Sequence, residues 1–131
     1  MRNLKLFTII GLAVFATSLL SFTLDQDKWI VPAKDKAVKN PVAVSAETTK
    51  EAKTIYMQHC KACHGAKGLG DGPKAKSMKG DLGDFSSVDF HKQTDGELFY
   101  KTKTGRADMP NFKKLSDEEI WLSVQYMRSL K

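Results

Sequence analysis

Cysteine is scarce in this chain of 131 residues, in which Cys60 and Cys63 are the only two. A pair this close in sequence leaves no thiol for a four-cysteine cluster, for a disulfide to a distant segment or for a separate resolving cysteine. Histidine is scarce as well, with three residues in the chain. Any metal site built from sulfur and imidazole ligands therefore has few candidate residues.

Charged side chains are absent from residues 6–24, a run of 19 residues that follows Arg2 and Lys5. A basic start followed by an apolar run is typical of an export signal. The run is also long enough to cross a bilayer, so it could remain as a membrane tether. We therefore predict that residues 1–24 are a signal peptide or an N-terminal membrane anchor, and that the rest of the chain is periplasmic.

The net charge is a modest +6, and no basic run alternates with aromatic residues. This pattern predicts no nucleic-acid partner. A mildly basic protein is instead suited to an acidic protein partner.

Helical periodicity is weak in residues 25–45, which contain Pro32 and Pro41, and we interpret them as an extended arm or linker. Residues 46–131 are then a single domain. About 85 residues bury only a marginal core on their own, so a domain of this size usually requires a covalent or metal staple.

The five residues from Cys60 to His64 read Cys-Lys-Ala-Cys-His, a pattern that indicates attachment of a c-type haem. Each thiol can form a thioether with one of two vinyl groups on the porphyrin edge, and the following imidazole can ligate the iron as proximal ligand. We therefore predict one covalent haem c, held by Cys60 and Cys63 and ligated by His64.

Two other interpretations of these residues remain open at this point. A structural zinc site would use both thiols and His64, with His59 or His91 as the fourth ligand. A thioredoxin-type redox pair also has this cysteine spacing, but it is expected within a βαβ unit, for which the sequence shows no pattern.

Capping patterns predict where the main helices begin. Thr48, or Ser45 one turn earlier, starts a helix that ends at Cys60, and Thr94 and Ser116 start two more. Residues 80–93 are predicted to be a loop that contributes three side chains to the core: Phe85, Val88 and Phe90. The pattern as a whole predicts an all-α fold with about three to five short helices.

The glycine-rich loop from Gly65 to Pro73 directly follows the attachment motif. Pro73 lacks an N–H but keeps its carbonyl, which we predict accepts a hydrogen bond from Nδ1 of His64. Such a bond would fix the tautomer of the ring and increase its basicity as a ligand.

Met109 is predicted to be the second axial ligand of the iron. Pro110 favours an extended backbone at Met109, and a thioether is a common partner of histidine in haem electron carriers. Met78, His91 and His59 are the rival ligands.

From about Ala46 to Leu130 the chain resembles a class I c-type cytochrome of the small bacterial mono-haem kind. The motifs that carry the resemblance are Cys60-x-x-Cys63-His64-Gly65, Gly70-Asp-Gly-Pro73, Asp95-Gly-Glu-Leu-Phe99, Gly105-Arg106, Met109-Pro110-x-Phe112 and Tyr126-Met-Arg-Ser-Leu130. The resemblance implies a cytochrome c fold in which the first and last helices cross, with Tyr56 and Tyr126 at the crossing. It also implies thioethers at both cysteines and iron ligation by His64 and Met109.

The function expected from these residues is one-electron transfer in a periplasmic respiratory chain, without catalysis. The expected partners are redox proteins, with the chain as a monomer or as part of a complex. One alternative is a haem c subunit of a larger membrane oxidoreductase, and another is a haem peroxidase or ligand sensor.

Overall fold

The computed structural model describes residues 29–131, and the regular structure in them is helical. Six α-helices follow in chain order: α1 (Ala33–Lys36), α2 (Ala46–His59), α3 (Lys61–His64), α4 (Val88–Lys92), α5 (Asp95–Thr104) and α6 (Asp117–Ser129). Within the described residues one 3-10 turn spans Ala75–Ser77. The prediction of an all-α fold is confirmed.

The predicted signal peptide or anchor, residues 1–24, lies outside the described residues. Within residues 29–131 no helix combines the length and apolar character needed to cross a membrane.

Hydrogen-bonded caps fix where the longer helices begin. α2 begins after Ser45, whose hydroxyl accepts from the backbone N–H of Thr48, while the Thr48 hydroxyl accepts from the N–H of Ser45. The earlier of the two predicted starts is therefore the one used. Thr94 and Ser116 cap α5 and α6 as predicted, each paired with a glutamate three residues later.

The core lies where α2 packs against α6, the most extensive contact between two helices in the described chain. Tyr56 from α2 and Ile120, Leu122 and Val124 from α6 are completely or almost completely buried. The rings of Tyr56 and Tyr126 lie 4.8 Å apart between centroids. This crossing is the arrangement that the sequence resemblance implied.

The segment before α5 differs from the predicted loop, because Val88–Lys92 forms α4, with the Ser87 hydroxyl accepting from the N–H of Phe90. Phe85 and Phe90 are buried as predicted and stack with centroids 4.6 Å apart. Val88 is 72% exposed, so its placement in the core was wrong. Residues two apart in a helix point to different sides, so burial of Phe90 directs Val88 outward.

Residues 31–45 wrap around the helices and belong to the same compact unit, Val31–Lys131. α1 interrupts the predicted extended conformation and packs on α5. A Cβ atom added at Gly96 would lie 2.0 Å from the carbonyl oxygen of Asp35, so only glycine permits this approach. Further along, Asn40 Nδ2 donates to the carbonyl of Trp121 at 3.0 Å. This stretch is therefore a wrapping arm and not a free linker.

Arg128 ties the end of α6 to the start of α5. Its Nε donates to Asp95 at 2.8 Å, and its terminal nitrogens donate to the carbonyls of Gln93 at 2.5 Å and His91 at 3.3 Å. A guanidinium bonded in three directions holds this corner of the unit in one geometry.

Candidate functional site

The attachment motif occupies one helical turn that directly continues α2. The N–H of Cys60 donates to the carbonyl of Tyr56, and the Cys60 carbonyl accepts from the N–H groups of Cys63 at 3.2 Å and His64 at 3.0 Å. Residues three and four positions apart in a helix lie on the same side. The structure therefore places the two thiols and the imidazole along one short turn.

Both cysteines are free thiols. Cys60 is 8% exposed, within an apolar cluster to which α2, α4, α5 and α6 contribute, and Cys63 is half-buried. Burial, with a smaller contribution from Cys63, raises the pKa of the Cys60 thiol to about 12. Two reduced sulfurs on one turn match what two thioether bonds require.

His64 is held by its Nδ1 atom, which lies 2.9 Å from the carbonyl oxygen of Leu82. Because a carbonyl only accepts hydrogen bonds, Nδ1 carries the proton, and Nε2 keeps the lone pair that can bind a metal. Burial lowers the pKa of the His64 ring, with the bond to Leu82 acting in the opposite direction. Phe85 packs beside the ring, with centroids 4.7 Å apart.

The predicted hydrogen bond from His64 to the carbonyl of Pro73 was wrong. On either side of Pro73, Gly72 N–H donates to the Cys63 carbonyl and Lys74 N–H donates to the Ala62 carbonyl. These bonds hold the segment around Pro73 against the carbonyl end of α3, and Nδ1 has the Leu82 carbonyl as its partner instead.

Leu82 is the acceptor that the sequence analysis missed. Its carbonyl is presented by a tight turn in which the N–H of Gly83 donates to Oδ1 of Asp81 at 2.8 Å. Gly83 has a φ of 72°, in the left-handed region that favours glycine. The Asp-x-Gly pattern was the available sequence signal for a turn at this point.

The loop after the motif lies close against α3. A Cβ atom added at Gly72 would lie 2.5–2.6 Å from the carbonyl oxygens of Lys61, Ala62 and Cys63. This close approach lets the loop's N–H groups satisfy carbonyls that a four-residue helix leaves without partners. From the other side, the hydroxyl of Tyr56 donates to the Gly65 carbonyl at 2.8 Å.

Met109 closes a tight turn that we call the methionine turn, residues 106–109. Arg106 N–H donates to the Met109 carbonyl at 3.0 Å, Met109 N–H donates to the Arg106 carbonyl at 2.9 Å, and Ala107 has a φ of 51°. Asp108 Oδ2 accepts from the N–H of Lys79 at 2.6 Å, which joins this turn to the loop after α3. Met109 is half-buried, and its role as iron ligand stays a prediction.

The three rival ligands differ in their surroundings. His91 Nε2 lies 3.1 Å from the carbonyl of Leu130, so this nitrogen already has a partner near the C-terminus. His59 is exposed, with its ring edge-on to Phe112. Met78 is half-buried at the end of the 3-10 turn.

The alternatives to haem find no support in the described chain. Across residues 29–131 no three His, Cys, Asp or Glu side chains converge as a metal site requires, so the zinc interpretation has no ligand set. A thioredoxin-type pair would lie in a βαβ unit, but the extended pairing described in this range is one isolated bridge between Arg106 and Met109.

Comparison with known proteins gives the chain a family. Residues 49–131 match the family described as cytochrome c. No protein with a curated description matches the chain. Several solved structures are similar, and two of them illustrate the likeness. One is a c-type cytochrome, KustC0563, with 26% identity and a TM-score of 0.53 over 61% of this chain and 96% of the other.

The second similar structure is a chain of the reducing HAO-like protein complex Kustc0457/Kustc0458 of Kuenenia stuttgartiensis, with 30% identity and a TM-score of 0.58. The comparison covers 79% of this chain but 52% of the other, so this chain spans about half of that relative. Cytochromes c bind haem c covalently, and Cys60, Cys63 and His64 supply the attachment motif here. The chain belongs to the cytochrome c family.

Proposed function

We propose that this protein is a one-electron carrier whose haem iron is ligated by His64 and Met109. The observation that carries the proposal is the hydrogen bond from Nδ1 of His64 to the Leu82 carbonyl, because it leaves Nε2 as the atom available for iron. The bound haem supplies an iron centre that accepts and releases one electron. Two axial side chains leave no open position for oxygen or a substrate, which argues against catalysis.

The surroundings of the attachment motif support a role in which the chain holds the haem and its histidine ligand in one geometry. Cys60 and Cys63 fix the cofactor, the Leu82 carbonyl fixes the imidazole, and Phe85 packs along the same ring. When the charge on the iron changes, groups that are already held in place need not reorient. The barrier to electron transfer therefore stays low.

Support for Met109 comes from the rigidity of the methionine turn. Two backbone hydrogen bonds close the turn, the Asp108 carboxylate holds it to the neighbouring loop, and Pro110 restricts the backbone that follows. Preordering lowers the entropy cost of presenting sulfur to iron. Met78 follows a 3-10 turn, where its N–H donates to the Ala75 carbonyl at 3.0 Å, and within residues 29–131 no reciprocal pair of backbone bonds closes a turn at it.

The test is a comparison of Met109→Ala with Met78→Ala in the haem-loaded protein. Met109→Ala should abolish the weak near-infrared absorption of a sulfur–iron bond and allow carbon monoxide to bind the reduced protein. Met78→Ala should leave both properties as in the wild type. Loss of the absorption in Met78→Ala and its retention in Met109→Ala would transfer the role to Met78. Rapid carbon monoxide binding by the wild type would favour a peroxidase or sensor.

We further propose an acidic redox protein as partner. Five exposed lysines follow the motif or the methionine turn and form no ion pair within residues 29–131: Lys74, Lys76, Lys79, Lys113 and Lys114. Lys103, in contrast, pairs with Asp117 at 2.6 Å. Unpaired positive charge steers an acidic partner and raises the association rate. Electron-transfer rates should fall as ionic strength rises, and flat rates would reject this partner chemistry.

A second candidate is a haem c subunit of a larger oxidoreductase. It is favoured by the similarity to a chain of a multi-protein complex and requires the same electron-transfer chemistry with a permanent partner. Either function is proposed to operate in the periplasm, with residues 1–24 as signal or tether. Purification from native membrane and soluble fractions distinguishes a stable assembly from a free carrier and tests the location.

A further inference from the structure

The peptide group between Leu82 and Gly83 is hydrogen-bonded at both ends. Its carbonyl oxygen lies 2.9 Å from Nδ1 of His64, and its N–H donates to Oδ1 of Asp81 at 2.8 Å. A peptide group is planar and conjugated, so these two bonds act on one rigid dipole. A carboxylate is therefore linked to the imidazole through a single amide.

We propose that Asp81 is a positioning residue that orients and polarises the Leu82–Gly83 peptide and thereby sets the basicity of His64 as a ligand. The inference rests on the proposed function, because it concerns the imidazole that would bind iron. It adds a third group to the pair formed by His64 and the Leu82 carbonyl.

Orientation is the first part of the argument. Gly83 has a φ of 72°, and the side chain of Asp81 closes the turn around it. With the carboxylate bonded to the N–H, the opposite end of the amide is directed at Nδ1. Without that bond, the peptide could rotate in the turn and leave the half-buried imidazole N–H without a steady acceptor.

Polarisation is the second part. A hydrogen bond to a charged acceptor is stronger than a neutral one, and bonds in series strengthen each other by about 10–30%. The carboxylate draws the amide proton and increases negative charge on the Leu82 oxygen. A stronger acceptor at Nδ1 makes the ring a better donor to iron at Nε2. This stabilises the oxidised iron relative to the reduced iron and lowers the reduction potential.

Asp84 offers a matched control. Its Oδ1 accepts from the N–H of Ser86 at 2.8 Å and from the Ser86 hydroxyl at 2.6 Å, so it closes a similar turn three residues later. Asp84 is exposed like Asp81 and carries the same charge, but these bonds do not include the peptide that contacts His64. Comparing variants of Asp81 and Asp84 therefore separates an effect on the potential that acts through the amide from one that any nearby charge would produce.

The experiment measures the reduction potentials of haem-loaded Asp81→Asn, Asp81→Ala and Asp84→Asn in the full chain. Asp81→Asn keeps a hydrogen-bond acceptor but removes the negative charge. The equilibrium constant for reduction of the haem should therefore be about three times as large in Asp81→Asn as in Asp84→Asn. This difference corresponds to about 30 mV at 59 mV per tenfold change. In NMR spectra of the reduced protein, Asp81→Ala should also speed solvent exchange of the His64 Nδ1 proton about tenfold, with Asp81→Asn closer to the wild type.

Equal shifts of potential in the two asparagine variants would show an effect of charge through space and would overturn polarisation through the peptide. Unchanged exchange of the Nδ1 proton in Asp81→Ala would overturn the positioning role. Both results leave the proposed function intact, which fails separately if the wild-type spectrum shows no histidine-ligated haem. If Asp81→Ala does not retain haem, the potentials of Asp81→Asn and Asp84→Asn still decide whether the carboxylate acts through the peptide.

Discussion

Replacement of Tyr56 by phenylalanine should test how the core supports the attachment motif. The Tyr56 side chain is 0% exposed, and its hydroxyl donates to the Gly65 carbonyl at 2.8 Å, one residue beyond the imidazole. Burial raises the phenol pKa far above its usual value, so the hydroxyl keeps its proton and remains a donor. The substitution removes one oxygen atom and one hydrogen bond from the interior.

The expected cost follows from what remains after the change. The phenylalanine ring keeps its contacts with Phe85 and Tyr126, so little packing is lost. The Gly65 carbonyl retains a longer bond from the N–H of Gly68 at 3.3 Å and is not fully orphaned. The loss should therefore be close to that of one ordinary hydrogen bond, about 1 kcal/mol of unfolding free energy. For a domain of this size that lowers Tm by about 4–8 °C.

The assay is denaturant unfolding of the haem-loaded protein, followed by far-ultraviolet circular dichroism. Tyr126→Phe is the control, because its hydroxyl forms no hydrogen bond within residues 29–131, and its midpoint should be unchanged. An unchanged Tyr56→Phe midpoint, or an equal loss in both variants, would refute the role assigned to this hydrogen bond.

Three further predictions concern the loop, the arm and a helix cap. Asp108→Ala removes the carboxylate that holds the methionine turn to the backbone of Lys79. In denaturant, the near-infrared absorption should then disappear well before global unfolding. Asp108→Asn should behave more like the wild type. Gly96→Ala should displace the arm, because the new methyl group would lie 2.0 Å from the Asp35 carbonyl. Trypsin should then cleave the arm faster. Gly80→Ala, at a position with open space around it, should leave the cleavage rate unchanged. The pKa of Glu97 is lowered from its ordinary 4.5, chiefly by a backbone hydrogen bond at the helix cap. The ionised carboxylate therefore contributes to stability above pH 4.5, and this contribution is lost as the pH falls through the pKa of the folded state. Urea titrations between pH 3 and 6 should therefore show a shallower pH dependence in Glu97→Gln, and an unchanged profile would contradict this account.

The local features of the fold could be predicted because their signals lie within a few residues of each other. Capping boxes at Thr94 and Ser116 need one hydroxyl and one glutamate three positions later, and both helices begin there. The attachment motif is equally local. The crossing of the first and last long helices came from family resemblance, and the contact of Tyr56 with Tyr126 bears it out.

Features that depend on the path of the backbone could not be predicted in the same way. The acceptor for His64 is a backbone carbonyl, which every residue possesses, so the identity of Leu82 gives no signal. The choice between Pro73 and Leu82 depends on the path of the backbone, which brings the Leu82 carbonyl to Nδ1 and joins both neighbours of Pro73 to carbonyls of α3. α4 escaped prediction because its five residues are too few to show a periodic apolar face.

The burial of Cys60 has a consequence for the order in which this protein is assembled. In the folded unit Cys60 is 8% exposed and packs in a cluster that includes Val124 and Met127 of the C-terminal helix. A thiol covered in this way is inaccessible to a vinyl group of the haem. We therefore expect thioether formation to precede the docking of α6 on α2, so that maturation is a competition between covalent attachment and closure of the core. A change that makes the cofactor-free chain close faster should lower the yield of mature protein, even though it stabilises the fold.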